Sequence, residues 1–276
     1  MAFVAHTHQY ALTRDKNNEI YPLTLNCFEG ARKAGIKRAI FGGSVAVYGG
    51  TAPPFTEDHQ FPPVVEAGNP AEEALMLKFE VSTKRALEMI VLDYGQSFQM
   101  GLSVPPGTET TEPHELEVDV LRAPKMIGTG YQALGSPIGL AVHVAAGKVP
   151  HFSGLLGYGG APIEHFWAGL AAIPTNYVLD NAEAIAVAMT ADTLPHMVYN
   201  VSSGFPASPR AQFQALLNVA PEAASRFDIT PDDLPEPPID LGFNGDRFAA
   251  DFGWRSSHTL ETAFEDYLGW LKTHPF

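Results

Sequence analysis

Residues 37–49 read Lys-Arg-Ala-Ile-Phe-Gly-Gly-Ser-Val-Ala-Val-Tyr-Gly. The run Ala39-Ile40-Phe41 is a short apolar strand, and Gly42-Gly43 turns the chain sharply at its end before Ser44, Val47 and Tyr48. A strand that ends this way is the βα edge of a parallel sheet, so helices are expected on both sides of it. Upstream, residues 23–34 carry apolar side chains at helical spacing and stop at Gly35, a C-cap residue. Downstream, residues 51–70 hold five prolines and several acids and read as a loop. Residues 71–93 (AEEALMLKFEVSTKRALEMIVLD) then read as a long amphipathic helix. Glu72 and Glu73 favour its N-terminus through the helix dipole, and Leu75, Leu77, Phe79, Ala86, Leu87 and Ile90 form its apolar side.

The alternation continues outward. Residues 101–119 form a polar, proline-bearing loop, and Val118–Leu121 reads as a buried strand ending in Arg122-Ala123-Pro124. Residues 128–162 are glycine-rich and read as a flexible wall or lid containing a short helix near Leu140–Ala146. Tyr177-Val178-Leu179 leads into a helix over residues 181–191, and residues 197–202 form another strand before Gly204. An acidic, proline-rich segment at 228–240 precedes a terminal helix, Leu260–Lys272. Phe3–His6 is a further short apolar run. Strands alternating with helices imply a mostly parallel α/β sheet covered on both faces. Ligands of such sheets sit outside the carboxyl ends of the strands, which places residues 42–48, 122–130 and the Asp180 region as candidate site walls.

With 276 residues, 45% of them apolar and 17% charged, the chain can bury a sizeable core and falls outside the disordered, fibrous and coiled-coil classes. Its formal charge of -14 repels phosphate backbones and anionic lipid, so a small-molecule partner is expected, with no nucleic acid and no membrane. A single cysteine, Cys27, suits a reducing compartment, and the start has neither the basic region nor the apolar core of a signal peptide. A cytoplasmic protein is expected.

Several stretches, taken in order, resemble the extended short-chain dehydrogenase/reductases, the NAD-dependent epimerase/dehydratase family. Val4-Ala5-His6 resembles the family's fourth strand, and residues 31–38 resemble the helix end and strand that follow. Gly43-Ser44-Val45-Ala46-Val47-Tyr48-Gly49 resembles its SSxxVYG segment, and Lys84 to Glu88 the KxxxE end of its YxxxKxxxE helix. Arg122-Ala123-Pro124-Lys125-Met126-Ile127-Gly128 resembles RPxxVYG, with alanine at the proline position. Residues 177–182 resemble YVxDVA, and residues 199–204 resemble YNVGSG. Phe252-Gly253-Trp254, with Leu260-Glu261 after it, resembles the closing LGWxP and helix. The resemblance implies a Rossmann-like sheet built from residues 1–125 with 175–202 returning to it. Residues 126–174 and 203–276 would form a small substrate-binding region. It also implies NAD or NADP as cofactor and a small polar, sugar-like or hydroxyketone substrate. Ser44 would orient the substrate hydroxyl and Lys84 would keep its family role, both touching any bound NAD(P), while Tyr48 and Arg122 would bind substrate.

Two departures from the family pattern set the alternatives. The sequence opens without the Gly-x-x-Gly-x-x-Gly turn that seats a pyrophosphate, which leads to the expectation of an N-terminally shortened sheet whose exposed edge is covered in a homodimer. Glu80 stands four residues before Lys84, where the family keeps its catalytic tyrosine. A glutamate with a lysine one helical turn away stays ionised at neutral pH, so it accepts protons and suits enolisation or elimination. The readings are therefore a redox enzyme of the family, a cofactor-independent isomerase, dehydratase or cyclase with Glu80 as base, or a non-catalytic partner subunit. Each candidate also has a plainer reading. Ser44 can cap the turn, Tyr48 can be packed, Arg122 can pair with an acid, and Cys27 can fill core. Glu80–Lys84 can be an i,i+4 surface pair that contributes about 0.3–0.5 kcal/mol. His6 and His8 lie two apart with no third ligand marked, so no metal is expected, and Ala46 removes the hydrolase elbow from Ser44.

Overall fold

A computed structural model describes residues 14–49, 51–61, 73–99, 116–130, 137–148, 174–234, 236 and 242–274. In chain order these form α1 (Arg14–Lys33), β1 (Arg38–Ser44), α2 (Glu73–Gln99), β2 (Glu117–Ala123), β3 (Lys125–Ile127) and α3 (Pro137–Ala145). They continue with β4 (Thr175–Tyr177), α4 (Val178–Thr190), β5 (Val198–Asn200), α5 (Pro209–Val219), α6 (Asp246–Phe252) and α7 (Leu260–Thr273). The run at residues 3–6, His8, and residues 62–72 and 100–115 of the two loop regions lie outside the described residues, as does most of the glycine-rich stretch.

Every described strand pairing is parallel. One sheet has the order β1-β2-β5 and a second pairs β3 with β4. The β1–β2 register runs from Arg38 opposite Glu117 to Ser44 opposite Ala123, and the first of these pairs is an ion pair with Arg38 Nη2 2.6 Å from Glu117 Oε2. Gly43 permits the close approach of these strands, because a Cβ there would lie 2.8 Å from Val120 Cγ1. Period-two alternation divides β2 between two cores. Val118 and Val120 pack with Phe28 of α1 and Val91 of α2, whereas Leu121 packs with Ala184 and Ala188 of α4 and Phe248 of α6. Helices thus cover both faces, and the structure is the expected Rossmann-like α/β sheet. A third core joins α3, α5 and α7 around Val142, Phe213, Leu216, Phe264 and Tyr267. Among the described residues, no helix is long and apolar enough to cross a membrane.

Candidate functional site

The carboxyl edge of the first sheet is assembled from three short pieces. Ser44 ends β1 and caps the 3-10 turn Val45–Tyr48, its Oγ accepting from Ala46 N at 3.1 Å. That capping role leaves the hydroxyl proton available to donate. The turn is held against α2 by Arg85, whose Nε donates to Val47 O (2.8 Å) and whose Nη2 donates to Gly49 O (2.9 Å). Gly49 lies so close to α2 that a Cβ on it would meet Val81 Cγ2 at 2.3 Å. Val81 and Arg85 each follow directly the candidate residues Glu80 and Lys84, so this clamp sets the half-buried Glu80–Lys84 turn of α2 beside the end of β1.

A third charged group joins them. Lys125 opens β3, two residues past the end of β2, and burial lowers its pKa to about 8 against the opposing pull of Glu80. Burial also lowers the pKa of Lys84, again opposed by Glu80. One carboxylate therefore acts on two partly desolvated ammonium groups at the edge where parallel sheets hold ligands. Lys125 was not among the sequence-derived site residues. Its signal was a lone charge in the otherwise apolar run Ala123–Gly128, and its link to Glu80 is tertiary.

Tyr48 and Arg122, the residues expected to bind substrate, are both buried and both hydrogen-bonded within the chain. Tyr48 is 1% exposed, with Phe55 stacked on it at 5.0 Å. Its hydroxyl accepts from Arg122 Nη1 (2.8 Å), and its one proton is within reach of Asn200 Oδ1 (2.8 Å) and Thr56 O (3.0 Å). Arg122, 3% exposed, donates Nε to Glu88 Oε2 (3.1 Å) and Nη2 to Glu88 Oε1. The phenol is thus no spare proton donor, and the guanidinium is occupied in joining β2 to α2. Burial explains this arrangement, because a charge taken out of water requires a partner and each of these groups has one. Asp180 is fully buried and belongs to a separate cluster with His258, Ser203 and Ser256. Among the described residues, no group of three potential ligands could hold a metal ion.

No protein-family model and no curated protein matches this chain. Solved structures do. Against dTDP-glucose 4,6-dehydratase from Bacillus anthracis, solved with NAD, the TM-score is 0.60 at 18% identity over 91% of this chain. The chain spans 66% of that protein's length. UDP-glucose 4-epimerase from Bifidobacterium longum, solved with NAD+ and UDP, gives 0.63 at 17% identity, covering 99% of this chain and 75% of its own. A GalE-like L-threonine dehydrogenase from Cupriavidus necator gives 0.62 at 20% identity, covering 97% and 76%. One backbone plan thus spans a dehydratase, an epimerase and a dehydrogenase, and with its parallel sheet and two-sided helical cover this chain has the fold that those enzymes share.

Proposed function

We propose that the chain is an epimerase/dehydratase-type enzyme that uses NAD or NADP on a small polar substrate, sugar-like or a hydroxyketone, with Ser44, Glu80 and Lys84 at its reacting centre. The observation that carries this reading is the Glu80 charge acting on both Lys84 and Lys125 at the sheet edge, against the burial that lowers the pKa of each. The likeness to enzymes solved with NAD supports it. Of a dinucleotide, the described residues suit the nicotinamide end: Lys84 brings ammonium N–H donors and Ser44 a hydroxyl proton. NAD, when bound, supplies a hydride acceptor. Ser44 orients the substrate hydroxyl, Glu80 takes a proton from it or from carbon beside a carbonyl, and Lys125 can return a proton near neutral pH.

Glutamate at the tyrosine position favours a second reading in which Glu80 acts as base without cofactor, in an isomerase, dehydratase or cyclase. Titration calorimetry of the folded chain with NAD, NADH, NADP and NADPH separates the two. Micromolar binding of one, weakened at least tenfold in Lys84→Ala, is expected. No binding at millimolar concentration overturns the cofactor reading. The second reading then requires that Glu80→Gln lose about a hundredfold or more of activity, the contribution of a positioned base. A homodimer belongs to the same proposal: Met89 on α2 is 71% exposed and Leu25 on α1 43%, apolar surface that a second copy can cover. Light scattering should give twice the 29.8 kDa chain mass, and a monomer at high concentration rejects it.

A further inference from the structure

Away from the sheet edge, a cleft of about 500 Å³ lies between the Ser203–Pro206 loop, α5 and the start of α7. Phe205, Pro206, Ala215 and Leu260 give it an apolar body, while His258 and Glu261 bring polar groups to its wall. His258 is held in place on several sides. Its Nδ1 donates to Asp180 Oδ1 at 2.6 Å, its backbone N–H donates to Ser256 Oγ at 3.1 Å, and the Tyr177 ring packs on it in a T-shaped contact with ring centroids 4.7 Å apart. Asp180 is in turn fixed by Ser203 Oγ (2.5 Å) and Ser256 Oγ (2.7 Å), both donating to Oδ2. These serines are spent on the carboxylate, so neither is a nucleophile. With Nδ1 committed as donor, the neutral imidazole carries its lone pair on Nε2, for which the described residues provide no hydrogen-bond partner. A buried carboxylate that orients an imidazole beside unfilled space is more than the joint between two loops requires.

We infer that this cleft is a second ligand site, in which His258 Nε2 accepts a hydrogen bond from the hydroxyl or amine of a small ligand with an apolar body. Selectivity follows from the surrounding charge. Asp180 stands behind the imidazole, Glu261 is on the wall, and the whole chain carries -14, so a neutral or cationic donor is favoured over a carboxylate. The site is independent of the Glu80 reading, since it shares no residue with that cluster.

Benzyl alcohol, benzylamine and benzoate, which share one apolar body and differ in the polar group, test this by histidine long-range ¹H–¹⁵N spectra of the labelled full chain. The expected result is a His258 ring protonated on Nδ1, with its Nε2 resonance moved by the alcohol and the amine at millimolar concentration. In His258→Phe, which keeps an aromatic ring for Tyr177 but has no nitrogen, their binding should weaken about three- to tenfold, the worth of one neutral hydrogen bond. Three outcomes overturn the inference: no shift at tens of millimolar, tightest binding by benzoate, or unchanged affinity in His258→Phe. Circular dichroism of the variant establishes that it is folded before its affinity is read.

Discussion

Asp119 shows what a single residue can impose on the molecule. It lies in the middle of β2, fully buried, on the face shared with Leu121, and neither carboxylate oxygen has a hydrogen-bond partner of good geometry among the described residues. Burial raises its pKa from 3.8 to about 8, with Arg38 pulling the other way. The folded chain therefore keeps a proton that the unfolded chain releases above pH 4. The unfolded state binds fewer protons over that interval, so the contribution of Asp119 to stability falls as pH rises from about 4 to about 8, by about 1.4 kcal/mol per unit. Asp119→Asn should flatten this slope in urea titrations at pH 5, 6, 7 and 8, and equal slopes in both proteins would refute the assignment. The Arg122–Glu88 pair is the opposite case, a buried charge with its partner supplied. Glu88→Ala leaves the guanidinium buried without that carboxylate and should cost about 3–5 kcal/mol. A loss below 1 kcal/mol in the same titrations would show that Arg122 finds another partner.

At the scale of elements, α2 is the longest helix among the described residues, and it packs closely on the sheet. Gly95 lies where α2 crosses the sheet, and a Cβ there would meet Met197 Cε at 2.3 Å and Val118 Cβ at 3.0 Å. The methionine end can swing aside, but Val118 is fixed in β2. Gly95→Ala should therefore destabilise by about 1–3 kcal/mol of overpacking, although alanine is the better helix former by about 1 kcal/mol. A gain in melting temperature would mean that the helix shifts freely. The sequence made α2, β1 and β2 legible, because each has a clear period and a marked end. It hid the start of α1, where the polar stretch from Arg14 and the internal Pro22 mask a helix that reaches nine residues further than its apolar spacing suggests. It also hid β3 and β4, since three residues carry no period. Of the site, Glu80 and Lys84 were legible as a helical pair, and Ser44 as both a cap and a candidate. Tyr48 and Arg122 were legible only as alternatives, because a strand-end arginine looks the same in sequence whether it faces a ligand or Glu88, and Tyr48 finds Asn200 across 152 positions.

For the molecule as a whole, the question is whether the sheet and the C-terminal region unfold together. The chain's proposed division puts residues 1–125 and 175–202 in one unit, and 126–174 and 203–276 in the other. The contacts cross that line repeatedly. Phe248 and Trp254, from the second unit, pack with Ala184, Ala188 and Tyr199 of the first. Trp254 Nε1 donates to Glu183 Oε2 at 3.3 Å. Asp180 gathers Ser203, Ser256 and His258 onto the first turn of α4, and Tyr177, which precedes that helix, belongs to the core of α5 and α7. Separating the units would expose this apolar surface and leave a buried carboxylate without its three donors, a cost that neither part recovers alone. The two regions should therefore open as one cooperative unit. Native-state hydrogen exchange across a denaturant series, read by mass spectrometry, measures this directly. Peptides from α4 and α7 are expected to converge on opening free energies within about 1 kcal/mol of each other. A persistent gap above about 3 kcal/mol would mean that the C-terminal region unfolds by itself and that the contacts along the shared line contribute less than their burial implies.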